Sequence, residues 1–159
     1  MGQYFKVVNT TKGQTLTPHA FGSGAKLMEF TSDGMSVMQG LGILLADGNN
    51  RGGGDLRSEN PIVGSWAGDN IVITGDYADE GKFVPKKNSK ENLYSYCEEN
   101  FTDISFDVIR ALCDDSWWKQ NFYDDWKRSN HSDWNEERQA LKVELFGEEG
   151  CKMKKEKYA

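Results

Sequence analysis

The apolar positions change their period along the chain. Tyr4 to Asn9 is a short apolar run closed by the turn residues Thr10-Thr11-Lys12-Gly13, and Gln14 to Thr17 offers a return strand. Lys26 to Phe30 reads as another strand. From Ser36 to Ala46, Val37, Met38, Leu41, Leu44 and Leu45 follow helical spacing, with Asp33 or Ser36 as a cap and Gly48 as a stop. Gly40 and Gly42 weaken that helix by about 1 kcal/mol each relative to alanine. Ile62 to Trp66 and Ile71 to Thr74 read as paired strands joined by Ala67-Gly68-Asp69-Asn70.

Beyond position 90 the period becomes helical throughout. Glu91 to Glu99 predicts a helix capped by Ser89, and Phe106 to Cys113 a second that buries Phe106, Ile109, Leu112 and Cys113. Asp114 or Asp115 caps a third through Arg128, carrying Trp117, Trp118, Phe122, Tyr123 and Trp126. Asp133 caps a fourth through Phe146, with Trp134, Leu141 and Leu145 inward. The fold class is therefore α+β: a small, mostly antiparallel sheet with one helix, followed by a helical C-terminal part.

Composition divides the chain at the same place. Fifteen of its 17 glycines lie at or before Gly81, and four of its five tryptophans lie after Trp66. Residues 1–81 form a glycine-rich part with a candidate ligand loop, and 82–151 a helical, Trp-rich part. A basic stretch from Lys82 to Lys90 joins them, and 152–159 is a charged tail expected to fray. At 159 residues the two parts suit one compact domain. A net charge of −6 argues against binding a nucleic-acid backbone. No segment has the length and apolarity of a membrane span, no secretory leader is visible, and Lys6 breaks the myristoylation pattern. Cys97, Cys113 and Cys151 match neither a zinc pattern nor a disulfide framework, which places the chain in a reducing cytosol.

The candidate chemistry begins at Asp47-Gly48-Asn49-Asn50-Arg51-Gly52-Gly53-Gly54-Asp55. Glycine runs weaken regular structure but let successive N–H groups converge on an anion. Arg51 adds a forked cationic donor. The spacing fits neither a P-loop nor a dinucleotide fingerprint. The other reading is a surface loop whose glycines take positive φ. A calcium loop starting at Asp47 fails where Arg51 and Ser58 replace oxygen ligands. Asp55, Asp69, Asp76 and Asp79 are carboxylates near strand ends, suited to acid–base or magnesium chemistry, or simply to ending strands. His19 and His131 belong to no nucleophile or zinc pattern, so no catalytic set, metal or cofactor is expected.

Met1-Gly2-Gln3-Tyr4-Phe5, the Asn49-to-Asp55 loop, Val63-Gly64-Ser65-Trp66-Ala67-Gly68-Asp69 and Gly75-Asp76-Tyr77-Ala78-Asp79 together resemble a family of small, uncharacterised bacteriophage and bacterial proteins. The likeness spans about the first 95 positions. That family's loop more often reads Asn-Gly-Arg-Gly-Gly-Gly-Asp-Tyr; Asn50 and Leu56 depart from it here. The resemblance implies a bacterial host cytosol and carries no catalytic residues. It associates the chain with inhibitors of host defence.

Three functions follow as expectations. The first is a non-enzymatic binder of a small anionic, nucleotide-type ligand at Asn49, Arg51, Gly52, Gly53, Gly54 and Asp55. Trp66, Asp69, Asp76 and Tyr77 would contribute, and sequestering a host signal would blunt defence. The second is a protein–protein inhibitor acting on a host defence protein through the acidic, Trp-rich helices. The third is a metal-dependent enzyme on nucleotides using Asp55, Asp76 and Asp79. The sequence leaves the oligomeric state open.

Overall fold

A computed structural model describes residues 2–31, 36–128 and 136–158. Four strands form one sheet in the order β3-β1-β2-β4, with β1 at Phe5–Asn9, β2 at Gln14–Leu16, β3 at Ile71–Gly75 and β4 at Thr102–Asp103. β1 pairs antiparallel with both β2 and β3, in registers that set Val7 opposite Leu16 and Ile73. β4 adds in parallel to β2, so the sheet is mixed. Among the described residues five α-helices accompany it: α1 Val37–Leu45, α2 Leu93–Asn100, α3 Ser105–Leu112, α4 Ser116–Arg128 and α5 Glu136–Tyr158. The α+β architecture with a helical C-terminal part is as the sequence predicts.

The helices begin where side chains satisfy their first N–H groups. Ser36 begins α1 with a capping box to Gln39, and Asp115 Oδ1 accepts from the backbone N–H groups of Trp117 at 2.9 Å and Trp118 at 3.3 Å to start α4. Asn92, not Ser89, caps α2: its Oδ1 accepts from Ser95 N at 2.9 Å. Its amide also donates to the carbonyls of Asp76 and Ala78, so one side chain fixes the helix start against the segment after β3. α5 continues to Tyr158, through the tail expected to fray, with a break at Gly147. Asp33 and Asp133 as caps, and the inward placement of Trp134, fall outside the described residues.

Two expected strands are turns. Lys26 to Phe30 is a 3₁₀ helix over Leu27–Glu29, because the Glu29 carboxylate accepts the Lys26 N–H at 3.1 Å and tightens the turn. Ile62 to Trp66 does not pair with β3. Gly64 N and Trp66 N instead donate to Ile43 O and Leu44 O at 2.8 and 2.9 Å, bonding to carbonyls of the last turn of α1. Gly64 has φ +79°, and a Cβ there would stand 2.6 Å from the Ala46 carbonyl oxygen, so glycine is required. β3 finds its partner in β1.

The two compositional halves share one core. Val7, Leu16, Phe21, Phe30, Leu41, Leu44 and Trp66 from the first half pack with Val108, Ile109, Leu112, Trp118, Phe122 and Leu141 from the second. A smaller cluster of Val8, Leu93 and Cys97, with Val72, Val84, Tyr96 and Phe101 against it, packs α2 onto the opposite face of β1 and β3. At roughly 25 cal/mol per Å² of apolar surface buried, the shared core is the main force joining the halves.

Candidate functional site

The glycine loop folds back on itself. Asp55 N donates to Gly52 O at 3.2 Å, with Gly53 at φ +61° and Gly54 at φ +113° between them, a turn whose two central residues both need positive φ. Asn50 and Gly52 are also left-handed, at φ +71° and +84°. Asn49 closes the base of the loop, its Oδ1 accepting Leu56 N at 2.9 Å and its amide donating to Ser58 O at 3.4 Å. The Asp55 carboxylate accepts Arg51 N at 2.9 Å. Of the backbone N–H groups from Gly52 to Asp55 that an anion cradle would use, that of Asp55 is thus spent within the loop, as is the Arg51 N–H. Those of Gly52, Gly53 and Gly54 take no acceptor among the described residues, and these glycines are exposed with open space beside them. The Arg51 side chain likewise has no ion pair or hydrogen bond among the described residues.

The end of the loop is one wall of a groove. Gly54, Asp55, Leu56 and Arg57 face Gln39, Gly42 and Ile43 of α1 and the α3–α4 junction at Leu112, Asp115, Ser116, Trp117 and Trp118, around a volume of about 610 Å³. That is within the usual size of small-molecule sites. Trp118 is buried, stacked on Phe122 at 5.0 Å between ring centroids, and its indole N–H donates to Gln39 Oε1 at 3.3 Å. Trp117, one position earlier, points out and is 70 % exposed.

Charge at the groove is sorted by hydrogen bonding. Asp115 is buried; the backbone N–H of Arg57 at 2.9 Å, then those of Trp118 and Trp117, hold its carboxyl below the ordinary aspartate range. Asp114 accepts from Ser58 Oγ at 2.7 Å. The nearby carboxylates are therefore already bonded, whereas the exposed guanidinium groups of Arg51 and Arg57 carry no hydrogen bond or ion pair among the described residues.

The other residues expected at the site lie elsewhere. Trp66 is fully buried, its indole N–H donating to Gln14 Oε1 at 2.7 Å, so it is a core residue that no ligand reaches. Asp69 accepts from Asn9 Nδ2 at 2.9 Å and from Lys12 Nζ, bracing the β1–β2 turn, and the Lys12 bond is the main cause of its lowered pKa. Asp76 Oδ1 accepts Tyr4 N at 3.0 Å where β1 and β3 meet. Asp69 and Asp76 flank opposite ends of β3, roughly 20 Å apart at ~3.3 Å per residue. Tyr77 is exposed beside Asp76. Asp55, Asp76 and Asp79 do not form a metal cluster; among the described residues no group of three or more His, Cys, Asp or Glu is placed to hold an ion. His19 Nδ1 lies 3.2 Å from Ser23 O, and His131 is outside the described residues.

Sequence reasoning missed Gln39, Gly42, Arg57 and the outward role of Trp117. The adjacency of Trp117 and Trp118 carried a signal, since a helix with one buried stripe turns two neighbouring positions in different directions. Arg57 carried none. No helix among the described residues is long and apolar enough to cross a membrane. Comparison with protein-family models, with curated proteins and with solved structures finds no match to this chain.

Proposed function

We propose that this chain is a non-enzymatic binding protein for a small anionic ligand of nucleotide type. The anion meets Arg51, Arg57 and the N–H groups of Gly52 to Gly54, and a planar ring lies in the groove against Trp117. The observation that carries this reading is the continuity of the two: the glycine loop runs directly into the wall of a 610 Å³ groove that ends on an exposed tryptophan. Guanidinium groups bind phosphate or carboxylate bidentately, and an aromatic face adds about 1–3 kcal/mol per stacked base. Together with the resemblance to phage and bacterial proteins, this points to sequestration of a host nucleotide signal in the bacterial cytosol, as an inhibitor of defence.

The test is native mass spectrometry of the protein purified from its host, followed by calorimetric titration with a panel of mono-, di- and cyclic nucleotides. A bound phosphorylated species, weakened at least about ten-fold by Arg51→Ala or Arg57→Ala, is the expected outcome. Gly42→Leu, which fills the groove from α1 without touching the loop, should remove binding as well. Retention of full affinity by all three variants would exclude this site.

The exposed Trp117 also favours a second reading, in which a host defence protein grips the Trp-rich helices. There, Trp117→Ala removes inhibition of the partner while Arg51→Ala leaves it intact.

A further inference from the structure

The segment joining the two halves is a loop closed by hydrogen bonds, and its chemistry is unlike the rest of the chain. Gly81 N donates to Glu91 O at 2.9 Å, bringing the loop's ends together. Inside, Asn88 N, Ser89 N and Glu91 N donate to Pro85 O, Lys86 O and Asn88 O, forming a 3₁₀ turn over Lys86–Asn88. Val84 anchors the loop in the smaller core cluster. This is the geometry of a compact surface loop packed on itself.

Between Gly81 and Glu91 there are four lysines and no acidic residue, in a chain of net charge −6. Lys82, Lys86, Lys87 and Lys90 are all exposed and form no ion pair among the described residues. Phe83 stands among them with φ +62° and is 60 % exposed. A bulky side chain at positive φ is strained, and here the largely exposed ring gains little burial to compensate. Lys82 Nζ lies over the ring, 5.7 Å from its centroid.

We propose that this loop is a docking surface for an acidic protein segment. Phe83 enters an apolar recess of the partner, and the four lysines pair with aspartates and glutamates around it. An aromatic anchor inside a charged rim is the pattern of interface hot spots. Because the backbone is already closed, little ordering cost attends docking. A single aromatic flanked by lysines fits this occupant better than a single-stranded nucleic acid, which uses several stacking rings along a basic track. The inference is independent of the nucleotide site.

The experiment selects peptides of about twelve residues from a random library on the immobilised full-length protein. The expected result is enrichment of Asp and Glu around at least one apolar position. A synthetic peptide from that pool should bind several-fold more weakly at ~200 mM than at ~50 mM salt. The double variant Lys86→Glu/Lys87→Glu, and separately Phe83→Ser, should weaken it about ten-fold or more, while Arg51→Ala leaves it unchanged. Unchanged melting temperatures establish that these surface variants fold; the milder Lys86→Ala/Lys87→Ala pair replaces the first if it does not. Selected peptides without acidic bias, or binding the double variant equally, overturn the proposal. So does tighter, loop-dependent binding of a thymidine oligonucleotide, or of phosphatidylserine vesicles, than of the peptide.

Discussion

The carboxylate of Asp115 accepts the backbone N–H of Arg57 at 2.9 Å, joining the end of the glycine loop to the start of α4 across 58 positions of sequence. The same carboxylate caps α4 through Trp117 and Trp118. Removing it deprives one helix of its cap and frees one wall of the groove at once. Asp115→Ala should cost about 2–3 kcal/mol, from a lost cap and a lost hydrogen bond to a charged group. Urea denaturation measures this; a loss under about 0.5 kcal/mol would mean the bridge contributes little.

The two glycines of α1 should respond in opposite directions to alanine. A Cβ on Gly40 would stand 2.8 Å from the Phe21 ring and 3.1 Å from Val108, whereas one on Gly42 meets nothing within 4 Å. Gly40→Ala should destabilise by about 1–3 kcal/mol through overpacking. Gly42→Ala should stabilise by up to about 1 kcal/mol, because alanine is the better helix former. Thermal melts of the two variants on either side of wild type are the expected outcome; a shift of the same sign in both would contradict the packing.

The same pair shows what was legible in the sequence. The helical spacing from Val37 to Leu45 was visible despite both glycines, because the apolar stripe fixes the buried face. What could not be seen was that Gly40 admits Phe21 and Gly42 opens the groove, since both depend on partners distant in sequence. Ile62 to Trp66 misled for a related reason: an apolar run with β-like composition spends its N–H groups on the end of α1. β4 is two residues long and pairs in parallel, too short to leave a pattern. At the candidate site, Arg51 and the glycines stood out by composition, whereas Arg57 joined them only through the fold.

Phe83 and Trp66 are both large aromatics, but their removal should differ sharply. Trp66 is fully buried and hydrogen-bonded to Gln14, so Trp66→Ala should cost about 3–5 kcal/mol. Phe83 is exposed at φ +62°, and Phe83→Gly relieves backbone strain while losing little packing. Its stability should stay within about 1 kcal/mol of wild type. A large loss at Phe83 would show that its ring stabilises the fold.

Burial pushes the Cys97 thiol up to about 11 and the Cys113 thiol up to about 12. Thiolate is the reactive form, so both should resist alkylation in the native protein at pH 8 and react once it is unfolded. Peptide mapping after iodoacetamide treatment resolves the two sites. Rapid native labelling of either would show that its surroundings open.

Acid should weaken the fold through the carboxylates that bind backbone or lysine. Asp69 and Asp115 are both held below the ordinary aspartate range, the first mainly by Lys12 and the second mainly by the Arg57 N–H. A carboxylate with a depressed folded-state pKa contributes stability that is present above the unfolded-state value. That contribution is lost as pH falls through the folded-state value, so the affected window lies below about pH 4. In Asp115→Asn the group no longer titrates. Its stability at pH 7 should begin below wild type and then fall less between about pH 5 and pH 2. Tryptophan fluorescence at fixed urea across that range follows both proteins. Parallel acid limbs would mean that protonation of Asp115 does not drive the loss, leaving Asp69 as the next carboxylate to replace.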